Sequence, residues 1–341
     1  MKKIIAIRMP NWIGDAVMAT PVLEYTKIIF PKSHLIIVTK EWTLPVFKNN
    51  PHIDDIYILP NNISKTPLTF FKIARKFKKK YKIDLYISLP DSLSTALFGF
   101  LIGAKNRLGY KKEGRSLFLT KSLMPPSNVH RTDKYLYLLK SLQLKEISLQ
   151  TKIYTSSLPT EIKELLDYLN LRKGYIGINP NSMAESRRWP PEKFAELIKK
   201  LKKKNFRKLP IVLFGSKKEE DYVNTIQTNS NYQAINLAGK ITLEEYIQIL
   251  QYAKIFITND SGPMHLAFAL NKPVIALFGA GNLSETGNYN KNKKTFYINK
   301  NVECSPCVLN KCRNKSPLYM QCMTAIDVKD IIAILKKFLL T

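Results

Sequence analysis

At 341 residues the chain is longer than one hydrophobic core usually serves, so two domains are expected. Apolar residues make up 45% of it, which excludes a disordered protein and is ample for packed cores. The formal net charge of +28, from 54 basic and 26 acidic residues, predicts an anionic partner such as nucleic acid, an anionic membrane face or a phosphorylated substrate. Solvated lysines that keep the protein soluble explain the same charge equally well.

No segment of the sequence has the features of a signal peptide or a membrane-spanning helix. Met1–Arg8 is a short apolar run, and the polar residues Asn11 and Asp15 follow it closely. No other run approaches the roughly 20 apolar residues that are needed to cross a bilayer. The sequence therefore predicts a cytoplasmic protein.

The first half of the chain alternates short apolar runs with helical patterns, which is typical of a parallel sheet covered on both faces. One helix is predicted at Ala16–Phe30 and a basic amphipathic one at Phe70–Lys82. The lysine-rich face of the latter is either an ordinary solvated face or a contact with anionic lipid headgroups at the inner membrane. The predicted strands are Lys3–Arg8, Leu35–Thr39, Ile56–Leu59 and Leu85–Leu89.

A second series of the same kind follows in the second half. Its predicted strands are Tyr175–Asn179, Ile211–Phe214, Ala234–Leu237, Ile255–Thr258 and Val274–Phe278, and its predicted helices are Leu158–Leu171, Glu192–Lys203, Leu243–Ala253 and Pro263–Leu270. Two such series imply an α/β protein with two doubly wound domains, 1–157 and 158–327, that face each other across a ligand cleft. The last helix, Val328–Leu340, lies in the C-terminal segment 328–341, which is expected to pack back on the first domain.

The loop Pro10–Asp15 follows the first predicted strand. It places Asp15 at a helix N-terminus, where backbone N–H groups and the helix dipole favour a carboxylate. Asp15 is either a plain N-cap or a general base at the floor of the expected cleft. The single Gly14 excludes the G-x-G-x-x-G fingerprint of dinucleotide binding.

Two later loops carry residues suited to an anionic ligand. Arg187 and Arg188 precede a Trp-Pro pair. A guanidinium group can bind two phosphate oxygens at once, so the two arginines suit a phosphate ligand. An ordinary solvated basic loop would have the same sequence. In Thr258–His265, a proline in the first helical turn and the small residues before it would let an anion approach a helix N-terminus. Simple helix caps and a satisfied core histidine are the alternatives. No Asp-x-Asp pair marks a metal-dependent sugar-nucleotide site.

Five segments occur in a characteristic order: NWIGDAVMATPVL, INPNSMAESRRWPPEKFAEL, VLFGSKKEE, NLAGKITLEE and ITNDSGPMHLAFALNKPVIALFG. In this order they resemble the ADP-heptose:lipopolysaccharide heptosyltransferases of glycosyltransferase family 9, most closely the heptosyltransferase II type. The resemblance implies a GT-B fold with an N-terminal acceptor-binding and a C-terminal donor-binding Rossmann-like domain. It also implies inverting, metal-independent transfer of heptose from ADP-heptose to a heptosyl-Kdo2-lipid A type acceptor. No cofactor is expected, and the protein is expected to be a monomer.

The resemblance also assigns residues. The catalytic base is Asp15, and the family's basic donor residue, usually lysine, is Arg187 here. The implied donor contacts are Ser182, Met183, Arg187, Ile241, Thr242, Asp260, Ser261, Gly262 and His265, and the implied acceptor contacts are Ser92, Ser94, Arg107 and Arg115. The chain departs from the family's usual Gly-Pro-Thr at Gly279–Asn282, which leaves the role of that loop open.

Four cysteines, Cys304, Cys307, Cys312 and Cys322, form a C-x2-C-x4-C-x9-C pattern. They either enclose zinc or stay as reduced thiols or an adventitious disulfide. Two other functions remain as alternatives: transfer from a different nucleotide sugar, and nucleic-acid binding. The second is disfavoured because the charge is diffuse and no recognition module is evident, so no nucleic-acid partner is expected.

Overall fold

The computed structural model describes residues 2–61, 66–112, 114–203, 206–291 and 293–339. The chain divides into two compact units, Met1–Tyr154 and Thr155–Thr341, where the sequence suggested a boundary after residue 157. Each unit contains a parallel sheet with helices around it, which confirms the predicted α/β class.

The sheet of the first unit has the strand order β3-β2-β1-β4-β5-β6, and every pairing in it is parallel. Its strands are β1 Ile4–Arg8, β2 His34–Lys40, β3 Asp55–Leu59, β4 Leu85–Ser88, β5 Asn106–Tyr110 and β6 Lys121–Leu123. Its helices are α1 Ile13–Met18, α2 Pro21–Ile29, α3 Leu44–Phe47, α4 Pro67–Lys80, α5 Leu93–Leu101 and α6 Arg131–Lys140.

The helix predicted at Ala16–Phe30 is wrong in one respect, because the chain forms two helices there. Pro21 occupies the first turn of α2 and has no N–H to continue the hydrogen bonds of α1. The hydroxyl of Thr20 donates to the carbonyl of Val17 at 2.8 Å and closes the end of α1. The short α1 is therefore a separate element that carries Asp15.

A close contact between α5 and the sheet requires glycine. A Cβ added at Gly99 would lie 2.4 Å from the ring of Tyr86, which is fully buried on β4. Any larger residue would push the helix away from the sheet. The hydroxyl of Tyr86 donates to the carbonyl of Thr95 at 2.9 Å, so α5 is fixed against the end of β4.

The sheet of the second unit has the order β12-β11-β10-β7-β8-β9, again with parallel pairs. Its strands are β7 Tyr175–Asn179, β8 Ile211–Leu213, β9 Ile235–Asn236, β10 Ala253–Asn259, β11 Val274–Phe278 and β12 Thr295–Asn299. Its helices are α7 Thr160–Tyr168, α8 Pro191–Lys203, α9 Glu220–Asn229, α10 Leu243–Leu250, α11 Gly262–Ala269, α12 Leu283–Thr286, α13 Gln321–Thr324 and α14 Val328–Leu339.

The final helix α14 belongs to the core of the second unit, whereas the sequence predicted that it packs on the first. It contacts α8 and β12, and its buried residues Val328, Ile331 and Leu335 join the same core cluster as Trp189 and Phe194. Its apolar positions recur at helical spacing, which predicts burial but does not identify the surface that covers them. Leu340, the predicted last residue, lies outside the described residues. Within the described part of the chain, no helix is both long and apolar enough to cross a membrane.

Candidate functional site

Each sheet reverses its strand order at one point: between β1 and β4 in the first unit, and between β7 and β10 in the second. In open parallel sheets, ligands bind outside the carboxyl ends of the strands at such a switch point. The loops that follow β1, β7 and β10 are the three that sequence analysis singled out. The fold therefore places all three at the switch point of their own sheet.

Asp15 lies in the first turn of α1, and Trp12 occupies the N-cap position. Asp15 is thus not a plain N-cap. The phenol of Tyr135, from α6, donates a hydrogen bond to its Oδ1 at 3.0 Å. This bond fixes one carboxylate oxygen and leaves the other for a ligand or for solvent.

Burial is the main influence on Asp15, and it raises the pKa of the carboxyl above its ordinary value. The positive charge of Arg131, the hydrogen bond from Tyr135 and the charge of Lys134 oppose this rise, whereas Asp91 adds to it. The result is a carboxyl with a raised pKa among cations, which holds an abstracted proton better than an exposed aspartate does.

Helix α6 supplies three of these groups, and sequence analysis missed it. Its buried positions Thr132, Tyr135, Leu136 and Leu139 follow helical spacing, a signal that could have revealed it. The ring of His130 accepts a hydrogen bond from the N–H of Thr132 at 3.1 Å, so histidine caps the helix start where serine or aspartate is more usual.

The four expected acceptor contacts differ in exposure and in their hydrogen-bond partners. Ser92 is the N-cap residue of α5 and Ser94 lies in its first turn; both are exposed, and their hydroxyls lie 3.2 Å apart. Arg107 lies at the amino end of β5, away from the carboxyl ends of the strands, and its guanidinium donates to the carbonyls of Phe118 and Ala104. Arg115 is fully buried, and its Nη2 donates to the hydroxyl of Ser88 at 2.8 Å. Arg107 and Arg115 thus make hydrogen bonds within the protein, Arg115 Nε and Nη1 have no partner among the described residues, and the assignment of both as acceptor contacts stays a prediction.

Asp260 and Arg187 form an ion pair in the second unit, with 2.9 Å between Oδ2 and Nη1. The aspartate side chain is 3% exposed and the arginine 24%. Burial raises the pKa of Asp260, and the guanidinium opposes that rise. The pair joins the loop after β7 to the loop after β10. The two charged groups are close enough for an ion pair, but the angles between them do not allow a hydrogen bond.

Neutral hydrogen bonds hold the same two loops together. The hydroxyl of Ser182 donates to the carbonyl of Asp260 at 3.1 Å. The buried side chain of Asn259 accepts from the N–H of Trp189 at 3.2 Å and donates to the carbonyl of Pro180 at 2.7 Å. The loops are therefore fixed without a ligand, which lowers the entropic cost of binding one.

Helix α11 begins directly after these contacts. Its N-cap, Ser261, makes no side-chain bond to the helix. Because Pro263 has no N–H and the N–H of Met264 donates to the carbonyl of Ser261 at 3.1 Å, the N–H of Gly262 is the first-turn donor left for another acceptor. Gly262 and Pro263 form that turn. His265 is 6% exposed and packs edge-on against Phe268, so it lies on the buried side of the helix.

The remaining predicted donor contacts differ in exposure. Met183 is 77% exposed and available to a ligand. Thr242 caps α10: its hydroxyl accepts from the N–H of Glu245, whose carboxylate accepts from the N–H of Thr242 at 2.6 Å. This capping box is visible in the sequence as T-x-x-E, and it gives Thr242 a structural role. Ile241, beside it, is partly buried.

Gly281, in the loop after β11 that departs from the family pattern, lies close to Asp260. A Cβ added there would lie 1.8 Å from Oδ2 of Asp260. We expect Gly281→Ala to displace the Asp260 carboxylate and to weaken ADP binding about tenfold or more, measured by calorimetric titration. Gly114→Ala is the matched control, since nothing lies within 4 Å of its added Cβ, although its positive φ causes some strain of its own. Unchanged ADP affinity in Gly281→Ala would show that this contact does not shape the site.

Segment 304–322, which carries the four cysteines, braces the loops that follow β7 and β11. The carbonyl of Asn310 accepts from the N–H of Ser186 at 3.1 Å, and Tyr319 donates to the carboxylate of Glu185 at 3.0 Å. The N–H of Val308 donates to the carbonyl of Ala280 at 2.8 Å. All four thiols are free, and the described residues contain no group of three or more His, Cys, Asp or Glu side chains placed to hold a metal ion. Burial, with the neighbouring cysteines, raises the pKa of Cys322 to about 11.

The two Rossmann-like units, a carboxylate of raised pKa and an arginine beside a helix N-terminus are compatible with a glycosyltransferase. The chain belongs to glycosyltransferase family 9 (heptosyltransferase), whose family model matches residues 70–317. The family predicted from the sequence is thereby confirmed.

The chain is similar to lipooligosaccharide heptosyltransferase 2 of Campylobacter jejuni, with 27% identity over 98% of both chains. It is 27% identical to lipopolysaccharide heptosyltransferase 2 of Escherichia coli K12, over 81% of this chain and 82% of that protein. Among solved structures, ADP-heptose heptosyltransferase II of E. coli superposes with a TM-score of 0.81 at 24% identity, covering 100% and 99% of the two chains. A family 9 glycosyltransferase of Veillonella parvula gives 0.86 at 23% identity, covering 100% and 98%. These likenesses confirm the GT-B fold.

Proposed function

We propose that the protein transfers heptose from ADP-heptose to the inner core of lipopolysaccharide, on a heptosyl-Kdo2-lipid A type acceptor. Membership of family 9 and the similarity to named lipopolysaccharide and lipooligosaccharide heptosyltransferases support the donor and acceptor. The observation that carries the mechanism is Asp15, a carboxylate held by Tyr135 at a switch point, with a raised pKa.

The proposed reaction is a direct displacement that inverts the anomeric carbon. An acceptor hydroxyl oxygen attacks C1 of the heptose and gives its proton to Asp15. The bond between C1 and the diphosphate oxygen breaks, and ADP leaves with the electron pair. Developing positive charge on the sugar ring and developing negative charge on the diphosphate both need stabilisation, which the protein supplies by electrostatic preorganisation.

Arg187 and the first turn of α11 are the groups proposed to stabilise the leaving diphosphate without a metal ion. The side chain of Arg187 is 24% exposed and its Nε has no hydrogen-bond partner among the described residues, so the guanidinium can turn to donate to a phosphate oxygen. Arg188 is already engaged, because its Nε donates to the carbonyl of Ser182 at 2.8 Å and its guanidinium lies over the ring of Tyr222. We therefore assign the diphosphate contact to Arg187 and a positioning role to Arg188.

The test is incubation of the purified protein with ADP-heptose and truncated core acceptors, followed by mass spectrometry. We expect the acceptor to gain one heptosyl residue, EDTA to leave the rate unchanged, and NMR of the product to show the inverted anomer. UDP- and GDP-sugars serve as controls for donor choice. Transfer from one of these but not from ADP-heptose would replace the proposed donor, and loss of activity in EDTA would contradict the metal-free mechanism.

We further propose that the protein acts as a monomer at the cytoplasmic face of the inner membrane and contacts it through α4. Residues 66–83 contain no aspartate or glutamate, and the exposed face of α4 carries Leu68 and Phe71 followed by basic residues. The charges on this face are Lys72, Arg75, Lys76, Lys78 and Lys79. A basic amphipathic helix of this kind fits an anionic bilayer surface.

Neutralising four of these charges is expected to weaken vesicle binding strongly. Each basic residue near an anionic surface contributes on the order of 1 kcal/mol, so K72Q/R75Q/K76Q/K79Q should weaken binding to phosphatidylglycerol vesicles about 100-fold or more in co-sedimentation. The control K173Q/R207Q/K208Q/K218Q removes four exposed charges from the second unit. Equal loss in both variants would show that net charge, and not α4, determines binding.

A further inference from the structure

Two tryptophans beside Asp15 are unusually exposed. Trp12 is 62% exposed and Trp42 is 46% exposed, whereas the third tryptophan, Trp189, is fully buried. Trp12 caps α1, the helix that carries Asp15, and Trp42 lies in the 3₁₀ turn Glu41–Thr43 that follows β2 and packs against α1. Since β1 and β2 are neighbouring parallel strands, both indoles lie at the same carboxyl edge of the sheet.

The Trp42 ring is held in place. Its Nε1 donates to the carbonyl of Asn11 at 2.7 Å, and the side chain of Asn11 accepts from the buried guanidinium of Arg8. Arg8 in turn donates to the carbonyl of Val38 at 3.1 Å, and the Nζ of Lys40 lies 5.5 Å from the Trp42 ring centre. Buried Arg8, acting through Asn11, and the nearby Lys40 thus hold the Trp42 ring in its solvent-exposed position.

Exposed apolar surface of this size is unfavourable in water, at about 25 cal/mol per Å², so two neighbouring exposed indoles, of which Trp42 is held in place, indicate a ligand surface. A pyranose has an apolar C–H face and a polar rim of hydroxyls. An aromatic ring can cover the C–H face and leave the hydroxyls free for hydrogen bonding, as amphipathic aromatic side chains do at interfaces. The position of Trp12 within three residues of Asp15 brings such a sugar to the carboxylate.

We propose that Trp12 and Trp42 form a stacking subsite for the acceptor sugar whose hydroxyl Asp15 deprotonates. This inference rests on the proposed function, because it names the surface that receives the acceptor. The subsite orients the sugar ring, so that one hydroxyl faces Asp15 while the C–H face rests on the indoles.

Fluorescence provides a test that does not depend on turnover. Addition of a deacylated heptosyl-Kdo2 saccharide should shift the emission of the wild type and protect it from acrylamide quenching. In W12F/W42F only the buried Trp189 remains, and neither effect should be seen. Absence of any response in the wild type would overturn the proposal. So would an equal response to anionic vesicles without saccharide, which would assign the indoles to a lipid interface.

Kinetics provides the second test. Trp42→Ala should raise the KM for the acceptor about tenfold and leave the KM for ADP-heptose unchanged, whereas Trp42→Phe should retain most of the acceptor affinity. Tyr232→Ala, an exposed aromatic in the second unit, is the matched control, and thermal unfolding confirms that each variant folds. Equal changes in both KM values would contradict an acceptor subsite. If the wild type transferred no heptose at all, the proposed function would fail, and the fluorescence test would still decide whether the indoles bind a sugar.

Discussion

Asp15→Asn is expected to lower the rate of heptose transfer about 10³-fold and to leave ADP affinity unchanged. Asparagine keeps the size of the side chain and the hydrogen bond from Tyr135 but cannot accept the hydroxyl proton. Single-turnover transfer and calorimetric titration with ADP measure the two quantities. Turnover near the wild-type rate would remove Asp15 from the role of base.

The raised pKa of Asp15 also determines how stability depends on pH. The folded state holds its proton up to a higher pH than the unfolded state does, so ionised Asp15 disfavours folding and stability falls as pH rises through the folded pKa. Asp15→Asn should therefore be at least as stable as the wild type at neutral pH, with the difference shrinking in acid. Urea unfolding at several pH values measures this difference.

The loss of transfer rate at low pH should reflect protonation of Asp15. The wild-type rate should fall as pH drops through the raised pKa of Asp15, since the protonated carboxyl is no longer a base. Tyr135→Phe removes a hydrogen bond that lowers this pKa, so the fall in rate should move to higher pH with only a small loss of maximal rate. An unchanged pH dependence would assign the titration to another group.

Arg187→Met is expected to destabilise the second unit by about 3 kcal/mol and to weaken ADP binding at least about tenfold. The substitution leaves the carboxylate of Asp260 buried without its cation, and that uncompensated charge is the main cost. Arg172→Met is the control: it breaks an exposed pair with Asp167 and should cost less than about 1 kcal/mol. Chemical denaturation gives the free energies of unfolding.

The companion variant R187M/D260N separates folding from binding. Neutral asparagine at 260 removes the buried charge, so stability should recover in part while ADP affinity stays low. Without Arg187 the folded pKa of Asp260 rises further, so the instability of R187M should grow as pH increases and diminish as pH falls. Full recovery of ADP binding in the double variant would show that Arg187 serves the fold and not the donor.

Much of the fold follows from local pattern. Strands β7 and β11 were predicted with the bounds that the structure has, because parallel strands buried on both faces are continuous apolar runs. The edge strands β6 and β12, and β5 beside β6, were missed. Their polar and glycine residues, such as Asn106 and Gly109 in β5, hide the signal. Resemblance in five segments was enough to identify the family.

The sequence by itself determined the two α/β units, the three loops and the acidic and basic residues within them, because each rests on neighbours along the chain. Only the tertiary structure brought Tyr135 to Asp15 across 120 residues, joined Arg187 to Asp260, and required glycine at 281. It also buried Arg115 and exposed Trp12 and Trp42. These are properties of packing: a pKa, an ion pair and an exposed ring depend on groups that are distant in sequence and become neighbours only when the chain folds.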